Sequence, residues 1–240
     1  MATPDNLNGY RTQPLYTFGE AARLTGVSPG TARNWLLGYI RKERTVTPEG
    51  FTTQDRPIGP LFNSASDGPA MVSFLQLIEI VVAARFRKAE RVPFQTVRKA
   101  HQNGQRDFGL PYPFAHLRLE AIGGHIVRRL HGEQPGVSLQ AVDSPAQWTI
   151  PGLVLDLVHQ LDYERKLAAR WYPVGKQVPI VVDPQVSAGR PTVRGRGVTI
   201  ATLHWRWKGA RQTIDFIAQD FVLPRDQVER ALQYAENVAA

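Results

Sequence analysis

Apolar side chains recur every three or four positions over several stretches of this chain, which is the spacing of amphipathic helices. After two short stretches near the N-terminus, longer ones cover Ser73–Arg91 and run from Pro93 to about Gln105. A further stretch predicts a second long helix over Gly152–Trp171. Its apolar positions are Leu153, Leu157, Leu161, Leu167, Ala168 and Trp171. Near the C-terminus the same spacing predicts three shorter helices, around Thr199–Trp207, Ala210–Phe221 and Pro224–Val238.

Short strands are predicted where apolar runs are bounded by turn residues. Ile126–Leu130 and Val137–Val142 have the pattern of a small hairpin, and Pro179–Pro184 has that of a strand ended by Asp-Pro. The sequence therefore predicts a mainly α-helical protein with small β elements. Its middle region would combine helix and hairpin, and its C-terminal part would be a three-helix unit that resembles a helix-turn-helix.

The two short N-terminal helices have strong boundary signals. Thr17 followed by Glu20 fits a capping box, in which each side chain accepts a hydrogen bond from the other residue's backbone. Gly26 suits the end of the first helix, and Ser28 followed by Pro29 suits the start of the second. Two helices joined by so tight a turn predict a helix-turn-helix, although an ordinary helical hairpin has the same pattern.

In a helix-turn-helix the first residues of the second helix meet the bases of DNA. We expect Trp35 and Leu36 to face the core. Arg33 could contact guanine and Asn34 adenine, or both could bind phosphate. The exposed candidates for DNA contact are Ser28, Gly30, Thr31, Arg33 and Asn34.

Residues 16–90, and above all the run from Tyr16 to Trp35, resemble the winged helix-turn-helix of MerR-type regulators. The resemblance implies a β wing at Thr45–Thr47 and Gly50–Pro60. It also implies phosphate contacts from basic side chains of the wing, namely Arg41, Lys42, Arg44 and Arg56. The family usually has an aromatic pair after the arginine, where this chain has Asn34 and Trp35.

The chain carries a net charge of +8 and no cysteine. The basic excess is concentrated in residues 73–110 and in residues 184–214, where there is no acidic side chain. Either patch would suit DNA phosphates or an acidic protein, or simply form a solvated surface. No histidine pair has metal-binding spacing and no catalytic motif is present, so we expect no metal, no cofactor and no enzyme. No apolar segment suits a signal peptide or a membrane span, so we expect a cytoplasmic protein.

The C-terminal region contains the most specific motif, which runs from Gly189 to Gly195 with the sequence Gly-Arg-Pro-Thr-Val-Arg-Gly. It follows the Asp-Pro strand end and precedes the three short helices. This arrangement resembles a domain of unknown function found in bacterial antitoxins that are paired with PIN-like ribonuclease toxins. The whole chain resembles the larger VapB-type antitoxins.

The resemblance implies that arginines of this segment fill the acidic, metal-binding cleft of a PIN-like toxin, since the guanidinium fork matches carboxylates. The candidates are Arg190, Arg194 and Arg196. Alternatively, Arg190 and Arg194 could stabilise the turn by bonding to backbone carbonyls.

We predict four segments: a tail (1–15), a MerR-like DNA-binding domain (16–107), a middle region (108–175) and an antitoxin-associated domain (176–240). The predicted function is that of an antitoxin, which inhibits a PIN-like ribonuclease toxin and regulates its own operon by binding operator DNA. It would act as a homodimer or as a larger hetero-oligomer with the toxin. The alternative is a stand-alone MerR-like regulator whose middle region senses a small ligand.

Overall fold

The computed structural model describes residues 9–48, 50–62, 71–89, 92–117 and 156–239. The elements of the N-terminal part are α1 (Gly9–Thr12), β1 (Pro14–Thr17), α2 (Phe18–Thr25), α3 (Pro29–Leu37), β2 (Tyr39–Thr47), β3 (Gly50–Ile58), β4 (Met71–Ser73), α4 (Phe74–Ala89) and α5 (Phe94–Phe108). Those of the C-terminal part are β5 (Leu161–Glu164), β6 (Leu167–Trp171), β7 (Ile180–Val181), β8 (Thr192–Val193), α6 (Ile200–His204), α7 (Ile214–Phe221) and α8 (Arg225–Ala239). The described residues form four small sheets, each two-stranded and antiparallel, with pairs β1–β4, β2–β3, β5–β6 and β7–β8. The expectation of a mainly helical fold with small β elements is confirmed.

Helices α2 and α3 form the predicted helix-turn-helix, and their caps are those that the sequence indicates. The Thr17 hydroxyl accepts from the Glu20 amide at 3.1 Å, and a Glu20 oxygen accepts from the Thr17 amide at 2.9 Å. Gly26 ends α2 with a left-handed backbone, at φ 65°. The Ser28 hydroxyl accepts from the Thr31 amide at 3.0 Å and so caps α3. Each such cap stabilises its helix by about 1 kcal/mol.

The first hydrophobic core surrounds α4. Residues 72–84 are buried without a break, so this helix is covered on all sides instead of having the single apolar face that its pattern predicts. Trp35 and Leu36 of α3 lie in the same core, as expected. Side chains from much later in the chain complete it, namely Leu157, Leu161, Ala168, Trp171 and Val182.

The helix predicted over Gly152–Trp171 is wrong over most of its length. Among its described residues, only 156–159 are helical, and β5 and β6 then form a hairpin. Its two turn residues, Arg165 and Lys166, have φ of 52° and 68°, which is the left-handed conformation of tight hairpin turns. Apolar residues spaced four apart fit either one face of a helix or the inward face of a strand, so the spacing alone does not distinguish the two. Here the strands form, and they bury Leu161, Ala168 and Trp171 in the core around α4. The predicted hairpin at Ile126–Leu130 and Val137–Val142 lies outside the described residues.

The C-terminal unit, residues 180–239, has a second core of its own. The β7–β8 ladder and helices α6, α7 and α8 enclose the buried side chains Ile180, Val193, Ile200, Leu203, Ile217, Leu223, Val228 and Leu232. Between α6 and α7 the chain makes a π-helical turn at Trp205–Gly209, which was not predicted. The three predicted C-terminal helices are present. The boundaries proposed for the four segments of the chain stay a prediction.

Candidate DNA-binding and partner-binding surfaces

The recognition helix α3 presents part of the predicted set to solvent. Arg33 is exposed, whereas Asn34 is half-buried. The hydroxyls of Ser28 and Thr31 lie 2.8 Å apart, so both take part in the N-terminal cap. Trp35 stacks on Phe94 of α5, with ring centroids 5.9 Å apart, and this contact fixes the helix on the core. Arg33 is therefore the candidate side chain of α3 best placed to reach a base.

A concave surface of about 530 Å³ lies beside α3. Ser28, Thr31 and Asn34 line one side of it, and Arg87 and Lys88 from the end of α4 line the other. Lys88 donates to the carbonyl of Gly26 in the turn of the helix-turn-helix, which ties α4 to that turn. Two cations next to the start of α3 suit contacts with phosphates that flank the bases.

The wing, formed by β2 and β3, distributes its predicted basic residues over both of its faces, because adjacent residues of a strand point to opposite sides. Arg41 lies directly opposite Arg56, and Glu43 on the same face is 3.2 Å from the Arg56 guanidinium. Lys42 and Arg44 occupy the other face, and Lys42 has Asp55 as its cross-strand partner.

The tip of the wing is both basic and apolar. The Arg44 guanidinium lies 3.7 Å from the centre of the Phe51 ring, in a cation–π contact. Phe51 and its cross-strand partner Val46 are 61% and 74% exposed. A straight DNA backbone can contact only one face of such a ribbon, so the four basic side chains cannot all bind the same stretch of phosphates.

The three arginines of the C-terminal motif also have different surroundings. Arg190 lines a cavity of about 310 Å³ between α2 and the C-terminal unit, close to Glu20. Arg194 donates to the carbonyl of Lys176 at 3.3 Å, which is the turn-stabilising role considered as its alternative. Arg196 is exposed at the tip of the loop.

A direct contact joins the helix-turn-helix part of the chain to the C-terminal unit, and none of the sequence motifs predicts this contact. The Tyr16 hydroxyl donates to the carbonyl of Gly189 at 2.9 Å, in a buried hydrogen bond. Burial raises the pKa of Tyr16, and the charges of Asp183 and Glu20 add to the effect, so the hydroxyl stays a neutral donor. Gly189 has φ 72°, and a Cβ at this position would overlap the Tyr16 hydroxyl. The first glycine of the C-terminal motif is therefore the place where that motif contacts the DNA-binding unit.

Two buried polar clusters were not predicted either. Arg11 is 2% exposed, and its guanidinium donates to the carbonyls of Glu164 and Leu167 at 2.9 and 3.2 Å. In the first core, Nε2 of His101 lies 3.0 and 3.1 Å from the two oxygens of Glu79, and both side chains are almost fully buried. Neither pair has a local sequence signal, because the partners are 22 or more residues apart.

The described parts of the chain contain no group of three or more histidine, cysteine, aspartate or glutamate side chains that could hold a metal ion. Among the helices in those same parts, none is long and apolar enough to cross a membrane.

Family models match two segments of the chain. Residues 14–101 match a family described as "Putative DNA-binding HTH domain", and residues 180–235 match DUF433, a family of unknown function. The chain thus joins a segment similar to helix-turn-helix DNA-binding domains to a segment similar to DUF433. The first segment supplies most of the first hydrophobic core, and the second segment contains all the buried side chains of the second core.

Similar proteins come from Mycobacterium tuberculosis. The uncharacterized protein Rv2308 is 26% identical over 232 residues, which cover 93% of this chain and 90% of that protein. A protein named "Putative antitoxin VapB45" is 25% identical over 228 residues, which cover 91% of this chain and 92% of that protein. The crystal structure of Rv2018 has a similar fold, with a TM-score of 0.64 and 23% identity over 92% of this chain and 98% of that one. Together with the two family matches, the likeness to VapB45 supports the resemblance to VapB-type antitoxins.

Proposed function

We propose that this protein is a VapB-type antitoxin, which inhibits a PIN-like ribonuclease toxin and represses its own operon. One observation carries the proposal: the chain combines a helix-turn-helix domain and a DUF433 domain in a single sequence that aligns over nine-tenths of its length with a protein named as an antitoxin. The helix-turn-helix would bind the operator, and the C-terminal unit would bind the toxin.

Operator binding is assigned to α3, the end of α4 and the wing. Arg33 contacts a base, Arg87 and Lys88 contact flanking phosphates, and Arg44 with Phe51 enters a groove at the tip of the wing. A homodimer reads two half-sites about one helical turn apart. Removal of a base contact at Arg33 would weaken operator binding by roughly 1–3 kcal/mol.

Toxin binding is assigned to the C-terminal unit by the charge of its surface. The exposed side of α8 carries three carboxylates and two arginines: Asp226, Glu229, Glu236, Arg225 and Arg230. This surface has no positive excess, whereas a recognition helix that enters DNA needs one to contact phosphates. The unit exposes instead the arginine at position 196 and three large apolar side chains, Trp205, Phe216 and Val222. Aromatic residues and arginine are typical anchors of protein interfaces.

The proposal is tested by co-expression with the product of the neighbouring gene. That product should arrest growth alone, and this chain should relieve the arrest and co-purify with it. Arg196→Ala together with Trp205→Ala should abolish relief but retain operator binding. Arg33→Ala should do the reverse, and Lys99→Ala, on the exposed side of α5, should affect neither. A neighbouring product that is harmless, or that does not bind this chain, would refute the antitoxin role.

The alternative is a stand-alone MerR-like regulator with a ligand-sensing middle region. Most of that region, residues 118–155, lies outside the described residues. The same experiment separates the two functions, because a stand-alone regulator would bind its operator in full without any partner protein.

A further inference from the structure

A groove separates α2 of the helix-turn-helix from the C-terminal unit. One part of it, a cavity of about 270 Å³, lies between α2, α4, α8 and the chain just after β6. The cavity of about 310 Å³ that contains Arg190 lies beside it, and the two share the lining residues Arg23, Leu24, Tyr234 and Val238. Ligand sites commonly occupy junctions of this kind between two packed units.

The smaller cavity is strongly cationic. Arg23, Arg85 and Lys88 line it, and no acidic side chain does so among the described residues. Lys88 is engaged with the Gly26 carbonyl, and Arg23 contributes to the low pKa of Glu20 on the side of the neighbouring cavity. Arg85 is half-buried and has no salt bridge within the described part of the chain. Three cations without a lining carboxylate favour an anion at this place.

Two residues that line the same cavity have a buried hydrogen-bond donor. The indole Nε1 of Trp171 and the hydroxyl of Tyr234 are both shielded from solvent, and neither has an acceptor within the described part of the chain. Their side chains are 3% and 7% exposed. Burial raises the pKa of Tyr234, so its hydroxyl remains a donor at any physiological pH. A buried donor without a partner is unfavourable, and an acceptor group bound in the cavity would relieve that cost.

Most of the remaining lining is apolar, namely Leu24, Val81, Ala84, Pro173 and Val238, and Thr25 and Asn237 add two polar side chains. We propose that this cavity binds a small organic anion, a carboxylate with an apolar body. The carboxylate would lie near Arg23 and Arg85 and accept from Trp171 and Tyr234, with the apolar body against Leu24. At about 30 Å³ for each water-sized group, the volume accommodates a molecule of on the order of ten non-hydrogen atoms.

A ligand in this position would contact both units at once. Arg23 and Leu24 stand directly before the turn at Gly26 that leads into α3, whereas Tyr234 belongs to α8. Occupation of the cavity would hold the helix-turn-helix against the C-terminal unit. The site does not depend on the proposed antitoxin role, because every residue that forms it belongs to this chain.

The test is a calorimetric titration of the full chain with phenylacetate, and with phenylacetamide as the neutral control of the same shape. Phenylacetate should bind in the micromolar to millimolar range, and the amide at least about tenfold more weakly. Arg85→Gln should weaken phenylacetate binding about tenfold, and Tyr234→Phe should weaken it severalfold. Lys99→Gln is the matched control, because it also removes one positive charge but lies outside the cavity, and it should leave the affinity unchanged.

Thermal melts of each variant would identify a loss of affinity that comes only from misfolding. Tyr234→Phe keeps the aromatic ring and removes only the hydroxyl, so we expect this variant to fold. Equal binding of acid and amide would refute an anion site. The same holds for a phenylacetate affinity that neither Arg85→Gln nor Tyr234→Phe alters. Absence of phenylacetate binding to the unmodified chain would also overturn the proposal.

Discussion

The contact between Tyr16 and Gly189 predicts a specific coupling between the two units. In Gly189→Ala the new residue must keep the left-handed backbone, which costs about 1–2 kcal/mol. Its Cβ would also overlap the Tyr16 hydroxyl and lie 2.9 Å from Cζ of the same ring, and overpacking of this kind costs about 1–3 kcal/mol. We therefore expect Gly189→Ala to lower the free energy of unfolding by about 2–5 kcal/mol.

Gly195 offers a matched control in the same motif. It has φ 78°, and a methyl group added there would meet nothing within 4 Å, so Gly195→Ala should show the backbone cost alone, about 1–2 kcal/mol. Tyr16→Phe should cost about 1–3 kcal/mol, because the buried Gly189 carbonyl loses its donor.

The double variant of Tyr16→Phe and Gly189→Ala tests whether the two residues are in direct contact. It no longer has the hydroxyl that the alanine methyl meets, so it should be more stable than the sum of the single effects predicts, by about 1 kcal/mol or more. Urea unfolding followed by tryptophan fluorescence measures all four free energies. Additive effects within about 0.5 kcal/mol would show that the two residues do not meet, and the proposed coupling would be wrong.

Three further predictions concern buried or capping groups. The pKa of Glu20 is held below its ordinary 4.5, mainly by a hydrogen bond from the Thr17 backbone amide. The Thr17 hydroxyl and the positive charges of Arg190 and Arg23 add to this effect. The stability that this carboxylate provides is therefore present above that pH and lost as the pH falls through the lower folded-state pKa. The difference in melting temperature between the unmodified chain and Glu20→Gln should shrink on acidification, and a constant difference would contradict the cap. Glu79→Leu should lower the free energy of unfolding in urea by about 3–5 kcal/mol, because it leaves Nε2 of the buried His101 without its partner. Adding His101→Leu should recover part of that loss. Arg11→Met should speed hydrogen exchange in β5 and β6, since it removes the donors to their turn, and unchanged protection there would rule out this anchoring.

Much of the helix-turn-helix could be predicted because its signals are local. The capping residues Thr17 and Ser28 stand three residues from the amides that they accept from, and Gly26 marks the intervening turn by its backbone alone. The β5–β6 hairpin could not be recognised, because the arginine and lysine of its turn are not typical turn residues. Its apolar spacing also fits a helix.

The groove and the Tyr16–Gly189 contact were beyond prediction for a different reason. Tyr16 and Gly189 are 173 residues apart, and nothing in either neighbourhood indicates the other. The residues proposed for DNA contact and for toxin contact are intermediate cases. Exposure at Arg33 and Arg196 agrees with the roles expected for them, whereas the position of Arg190 beside α2 depends on tertiary packing alone.

The first hydrophobic core has a consequence for synthesis of the chain. Trp35 of the helix-turn-helix shares that core with Trp171 and Val182, which the ribosome adds 136 and 147 residues later. Contacts of such long sequence separation form late, and until then apolar surface on α4 remains uncovered. A nascent chain that stops before Val182 would expose this surface to chaperones and proteases. The ability to bind DNA would then arise only in molecules whose C-terminal unit is also being completed.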